Sequence, residues 1–117
     1  MKKFKTFFFD IDGTIFKYRK FENYKQSLPE LTPGAFDKLT EIKNKGHMII
    51  LTTARPENLR DHTEFELSSN LIPYNYLLMG LERGPRYLIN DMDPNKPGYR
   101  AHAHNVKRDK GLKSFKY

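Results

Sequence analysis

Three short apolar runs in this chain each end in side chains suited to chemistry, so a fold that gathers those ends in one place is the natural expectation. Phe4 to Phe9 reads as a buried strand that stops at Asp10 and turns at Asp12-Gly13-Thr14. Met48 to Leu51 reads as a second strand, running into Thr52-Thr53-Ala54-Arg55. Tyr87 to Asn90 reads as another, with Asp91 next in line. In open α/β sheets ligands bind beyond the carboxyl ends of the strands, where all three polar groups stand.

The segments between these runs carry helical signals. Thr32 suits an N-cap and Pro33 the first helical position; Ala35, Leu39 and Ile42 follow at helical spacing with Phe36 beside them, and Gly46 is the stop. Pro56 opens a second helix expected to reach about Asn70. Tyr76 to Met79 and Ala101 to Val106 complete a set of five strand candidates, separated by loops containing Gly80, Gly84-Pro85, Pro94 and Pro97-Gly98. Residues 15–31 hold Phe16, Tyr18, Phe21 and Tyr24 without helical spacing and read as a flap or hairpin. Strands alternating with helices predict an α/β fold, a three-layer Rossmann-like sandwich with a mostly parallel sheet of about five strands. Little or no helix is expected between the third and fourth strands.

A length of 117 residues suits one domain. With 38% hydrophobic and 14% aromatic residues the chain has the material for a core, despite 30% charged residues. No apolar run approaches the roughly 20 residues that span a bilayer, and no signal-peptide core follows Met1-Lys2-Lys3, so a cytoplasmic protein that does not enter a membrane is expected. There is no cysteine, which excludes thiol nucleophiles and thiolate metal sites and leaves oxygen or imidazole ligands. The net charge of +7 suits polyanionic partners, phosphorylated substrates or nucleic acid among them, and serves solubility equally well. Lys107, Arg108, Lys110, Lys113 and Lys116 make residues 107–117 a basic tail, either a solvated end or a binding arm. His102 and His104 alternate on one candidate strand but lack a third ligand nearby, which favours edge packing over a metal site.

Asp10 and Asp12 stand two residues apart at a strand end, where Gly13 permits a sharp turn and both carboxylates can face one site. A carboxylate nucleophile gives a covalent aspartyl-phosphate and splits hydrolysis into two easier displacements; a second carboxylate can protonate the leaving oxygen and then activate water. Repulsion between Asp10 and a phosphate calls for a cation, and magnesium suits oxygen ligands.

Phe-Phe-Phe-Asp10-Ile11-Asp12-Gly13-Thr14 resembles the first motif of the haloacid dehalogenase superfamily. Ile49-Ile50-Leu51-Thr52-Thr53-Ala54-Arg55-Pro56 is similar to the second, with Thr53 matching the hydroxyl that holds a phosphoryl oxygen. Tyr87-Leu88-Ile89-Asn90-Asp91-Met92-Asp93 is similar to the fourth, with Asp91 as a direct metal ligand and Asn90 in place of a common second acid. The third motif is normally a lysine, and none stands between Lys45 and Lys96; Arg83, favoured over Arg86, would take that role unless both are surface arginines. The resemblance implies sheet order 5-4-1-2-3 and magnesium held by the Asp10 carboxylate, the Asp12 backbone carbonyl and Asp91. It also implies catalysis by Asp10, Asp12, Thr53 and Arg83, with Gly13, Thr14, Thr52, Ala54, Arg55 and Arg86 around the substrate.

Neither gap between motifs leaves room for the cap domain usual in that superfamily, so an open site is expected, closed if at all by the flap or a second subunit. Sugar phosphates, nucleotides, nucleic-acid ends and phosphoproteins are all compatible substrates. A catalytically degenerate magnesium- or anion-binding module with a regulatory or scaffolding role is the alternative. A receiver-type phosphoacceptor domain orders its acids and lysine differently.

Overall fold

The computed structural model describes residues 3–117. Its sheet has three parallel strands, β1 (Thr6–Asp10), β2 (Met48–Thr52) and β3 (Tyr76–Leu78), in the order β1-β2-β3. The register sets Asp10 beside Thr52 and Thr52 beside Leu78, so the polar end of β1 and that of β2 are neighbours at one edge of the sheet.

Two helices make the crossovers, α1 (Ala35–Asn44) and α2 (Arg60–Ser69). Helix α1 begins later than the Thr32-Pro33 signal predicts. Gly34, in the left-handed conformation at φ 76°, is its N-cap, because the Thr32 hydroxyl is drawn away to donate to the Thr14 carbonyl at 2.6 Å. The expected stop holds: Gly46 turns at φ 91° just past the end. Pro56 opens a single 3₁₀ turn, Glu57–Leu59, before α2 proper starts at Arg60.

Alternation along the strands sorts the sheet into two unlike faces. Phe9, Ile49, Leu51 and Leu77 are buried on one, in a core with Leu39 and Ile42 of α1 and Leu67 of α2. On the other, Phe8, Met48, Tyr76 and Leu78 are exposed. Both crossovers therefore cover the same face, as two successive right-handed units in the order β1-β2-β3 must. The expectation of three layers and about five strands is corrected here to three strands with helices on one face. Residues 79–86 provide eight positions between β3 and the Tyr87–Asn90 run, fewer than the dozen or so that a parallel crossover needs. That run stays irregular with Tyr87 and Ile89 each 85% exposed, and Ala101 to Val106 forms no strand either. No described helix is long and apolar enough to cross a membrane.

The 15–31 segment is a closed excursion. Phe16 and Leu31 form an antiparallel bridge at its base, the Lys17 N–H donates to the Glu30 carbonyl at 2.7 Å, and the Thr32 N–H donates to the Ile15 carbonyl at 2.8 Å. Phe16 and Tyr24 are buried and belong to the core, whereas Tyr18 and Phe21 remain exposed.

The basic tail is packed rather than solvated. Leu112 is buried, and its N–H donates to the Pro33 carbonyl at 2.9 Å. Phe115 meets Phe9 edge-on at 6.1 Å, and Tyr117 meets Phe7 at 4.9 Å. The tail thus covers apolar side chains of the edge strand β1. Gly111 makes this docking possible: it sits at φ 91°, and a Cβ there would run into the Pro33 carbonyl oxygen. Gly111→Ala should lower the unfolding free energy by about 2 kcal/mol or more, through left-handed strain plus that clash. Denaturant unfolding measures it; a variant as stable as the parent would show that the tail does not dock in this way.

Candidate active site

The turn after β1 is wound tightly around one acceptor. The N–H groups of Thr14, Ile15 and Phe16 all point at the Ile11 carbonyl, at 3.2, 2.9 and 3.1 Å, and Gly13 occupies φ 93°, a conformation open to glycine at little cost. Ile11 and Ile15 anchor the turn in the core, fully buried. Asp10, Asp12 and Thr14 are left at the carboxyl edge of the sheet.

Asp10 is exposed by surface area, yet protein atoms crowd its carboxylate. Loss of hydration raises its pKa above the usual aspartate value, and the neighbouring Asp12 anion adds to the rise. The Ile11 backbone N–H, the Arg86 guanidinium and the Thr14 hydroxyl pull the other way. Those three groups mark where anionic oxygens are stabilised near Asp10.

Asp12 has different surroundings. Arg55 takes both its oxygens, Nε to Oδ2 at 2.9 Å and Nη2 to Oδ1 at 2.8 Å, and the Tyr24 hydroxyl donates to Oδ2 at 3.0 Å. Arg55 is 2% exposed. Its Nη1 reaches Thr63 Oγ1 at 3.1 Å and Glu66 Oε1 at 2.8 Å, and its guanidinium lies 4.1 Å from the centre of the Tyr24 ring. Burial works to lower the Arg55 pKa, but the hydrogen bonds and charges of Asp12 and Glu66 outweigh it and raise the value. Burial first, then the Asp12 charge, pushes the Tyr24 hydroxyl up to about 12, so that group keeps its proton and donates. Glu66 also accepts two bonds from Arg19 Nη2, each 2.9 Å, and lies 3.2 Å from His62 Nε2. Two guanidiniums thus oppose two carboxylates in one buried cluster that joins the β1 turn, the β2 turn, the flap and α2.

This cluster revises the expectation for several residues. Arg55, expected among the substrate contacts, spends its donors inside the protein and positions Asp12. Thr53 is 2% exposed, and its hydroxyl accepts the Arg55 backbone N–H at 3.0 Å. Thr52, half-buried and in register with Asp10, is the hydroxyl nearer the opening; it donates to the Phe9 carbonyl at 3.3 Å. Ala54, between Thr53 and Arg55 in the chain, is half-buried. The Gly80 N–H donates to the Arg55 carbonyl at 2.7 Å and the Leu81 N–H to the Thr53 carbonyl at 3.1 Å, which fixes this turn beyond β3. Of the two candidate arginines, Arg86 is the one whose charge acts on Asp10; its Nη1 donates to the carbonyls of Glu82 and Gly84, at 2.9 and 2.7 Å, which aims the guanidinium. Arg83 is exposed and joins no ion pair among the described residues.

Asp91 lies apart from the other acids. Its side chain is 77% exposed, 3.6 Å from Arg100, and among the described residues no three acidic or histidine side chains converge on a point. Of the three expected magnesium donors, the Asp10 carboxylate and the Asp12 carbonyl belong to one turn and Asp91 does not join them, so the full set does not fit a metal in this conformation. His102 and His104 likewise join no metal-binding group among the described residues: His102 Nε2 lies 2.9 Å from the Tyr99 carbonyl, and His104 packs edge-on against Phe115 at 4.9 Å. Sequence reasoning passed over Tyr24 and Glu66. The signal for Glu66 was its place at helical spacing with Thr63 and Leu67 on the buried face of α2.

No family model matches this chain, and no curated protein does. Among solved structures it is similar to a chain of the Pnkp1/Rnl/Hen1 complex, with TM-score 0.59 and 26% identity. The match covers 71% of this chain and 30% of that one, so this chain is comparable to under a third of that protein.

Two outcomes test the site without reference to turnover. Replacing Arg55 by Met strands the Glu66 and Asp12 carboxylates and should cost about 3–5 kcal/mol in denaturant unfolding, the range for breaking a buried pair. Asp10 has the opposite sign. Its folded pKa lies above the unfolded one, so the stability it contributes is present below the unfolded pKa and is lost as pH rises through the folded value. Asp10→Asn should therefore raise the melting temperature at neutral pH, with the gain shrinking as pH falls toward about 4; a gain unchanged by pH contradicts the assignment.

Proposed function

We propose that this chain is a phosphohydrolase of the haloacid dehalogenase superfamily that cleaves phosphate monoesters through an aspartyl-phosphate on Asp10. The observation that carries the reading is the unequal treatment of two acids on one turn: Asp10 is open at the end of β1, and Asp12 is held by Arg55 and Tyr24. The likeness to a chain of the Pnkp1/Rnl/Hen1 complex supports a role in phosphoryl transfer.

On this reading an Asp10 oxygen attacks phosphorus, the ester oxygen leaves with a proton, and water then attacks the same phosphorus to release inorganic phosphate and restore the carboxylate. Arg86, the Thr14 hydroxyl and the Ile11 N–H already act on charge at Asp10 and stabilise the phosphoryl oxygens beside it. Of the two hydroxyls at the end of β2, Thr53 accepts the Arg55 N–H and keeps its own proton to donate to a phosphoryl oxygen, whereas the Thr52 proton is spent on the Phe9 carbonyl. Asp12 handles the proton, with Arg55 and Tyr24 fixing the orientation of its carboxylate. Were magnesium to bind with the phosphate, the Asp10 carboxylate and the Asp12 carbonyl would be the donors this turn offers, and the ion would offset the phosphate charge.

That Asp91 does not gather with Asp10 and Asp12 into a metal-binding group favours a second reading, a binding module that holds a phosphorylated ligand without turnover. A panel of phosphate esters assayed with and without magnesium separates the two. Asp10→Asn should reduce turnover to background yet still bind phosphate esters, since removing one anion lessens repulsion. An unmodified protein that binds esters but hydrolyses none across the panel establishes the second reading instead.

A further inference from the structure

Arg108 and Asp109, in the tail, lie against the same turn that carries Asp10 and Asp12. The Asp109 N–H donates to the Gly13 carbonyl at 2.8 Å, and Asp109 Oδ1 accepts the Tyr18 N–H at 2.7 Å. Asp109 holds φ 64°, an uncommon conformation for a residue with a side chain, and this pair of bonds keeps it there. The dipeptide thereby clasps the β1 turn to the root of the flap.

The clasp sets the place of Arg108. Its stem covers Gly13 so closely that a Cβ on Gly13 would lie 3.3 Å from Arg108 Cγ, and its guanidinium lies 4.1 Å from the centre of the exposed Tyr18 ring. Arg108 itself is exposed and enters no ion pair or side-chain hydrogen bond among the described residues. A groove of about 760 Å³ opens at Tyr18, lined also by Lys17, Lys20, Asn23, Glu30 and Asp109. The charges facing it are not all positive: Lys17 is paired with Glu30 at 2.8 Å, and Asp109 contributes an anion whose Oδ1 is already engaged. Arg19, also in the lining, is held by Glu66, so Lys20 is the lining cation without an ion-pair partner among the described residues; Arg108 is not itself in the lining and stands beside the groove through its contact with the Tyr18 ring.

We propose that Arg108, braced on Tyr18, forms an accessory subsite at the mouth of the Asp10 turn that takes a second phosphoryl group of the substrate. A guanidinium held flat against a ring presents a planar fork of donors suited to phosphate oxygens, with little rotamer freedom left to lose. The second phosphoryl group comes either from a small bisphosphate or from the phosphodiester next to a nucleic-acid end. This deepens the phosphohydrolase reading and rests on it for the word substrate, but the binding site is testable without turnover.

Calorimetry on the Asp10→Asn protein supplies the test, with three ligands: a phosphate monoester of a diol, the bisphosphate of the same diol, and a dinucleotide bearing a terminal phosphate. The bisphosphate or the dinucleotide should bind more tightly than the monoester. Adding Arg108→Gln should weaken the tighter ligand about tenfold, the loss of one charge-assisted contact, and leave the monoester unchanged. Tyr18→Leu should give a smaller loss in the same direction by freeing the arginine. Whichever ligand shows the loss identifies the source of the second group. Equal weakening of all three ligands, no weakening, or no preference over the monoester overturns the subsite. Preferential binding with no turnover by the unmodified protein sinks the phosphohydrolase reading and leaves the subsite standing.

Discussion

The Arg55 guanidinium is the point on which the rest of the arrangement depends. Burying an arginine is costly unless its donors are met and its charge is opposed, and here Asp12, Glu66 and Thr63 meet them while Tyr24 covers the plane. The four partners come from three separate parts of the chain, so the cluster can form only when the β1 turn, the flap and α2 are all in place around the end of β2. Arg19 extends the same logic, gripping Glu66 with one nitrogen while its Nε is left without a partner, a small cost inside a network that is otherwise satisfied. The cluster thereby ties the β1 turn, the flap and α2 to one guanidinium.

The cluster also explains how two aspartates on one turn acquire different characters. Asp12 is drawn inward by the Arg55 guanidinium, and Asp10, which the register places beside Thr52, is left at the opening with only partial compensation. An open, incompletely compensated carboxylate is poised toward a ligand; one held by Arg55 and Tyr24 keeps a fixed orientation. The difference arises beyond the end of β1: an extended strand would leave Asp10 and Asp12 on one side, and the winding of the turn around the Ile11 carbonyl carries Asp12 in to Arg55 instead.

The sheet itself is economical. Helices cover one face, the tail closes that face beside β1 with Leu112, Phe115 and Tyr117, and the opposite face keeps Phe8, Tyr76 and Leu78 in solvent. Tail packing at the edge strand brings Arg108 and Asp109 to the turn as a consequence, which couples the end of the chain to the site through the Gly13 carbonyl.

The local pattern determined a good deal. Apolar runs ending in acid or hydroxyl gave β1 and β2 with their ends side by side, Gly46 stopped α1 where a left-handed residue is needed, and the Asp10 to Thr14 string announced a tight turn bearing two carboxylates. These features are set within a few residues of one another, by alternation and by backbone sterics, so a single sequence displays them. What partners each polar group was decided only in three dimensions. Arg55 looked like a ligand for substrate until Glu66, eleven positions on, and Asp12, forty-three positions back, were seen to claim it. Arg83 was favoured over Arg86 on paper, and in the fold it is Arg86, held by carbonyls of its own loop, whose charge acts on Asp10. The apolar run at Tyr87 had a strand's composition but too short a connection to enter the sheet in parallel, and the basic tail had the composition of a solvated end but carried Leu112 and Phe115 to fill the gap beside β1. Composition and spacing describe what a segment can do alone; desolvation of a charge and closure of a core depend on residues far along the chain, and those only the fold brings together.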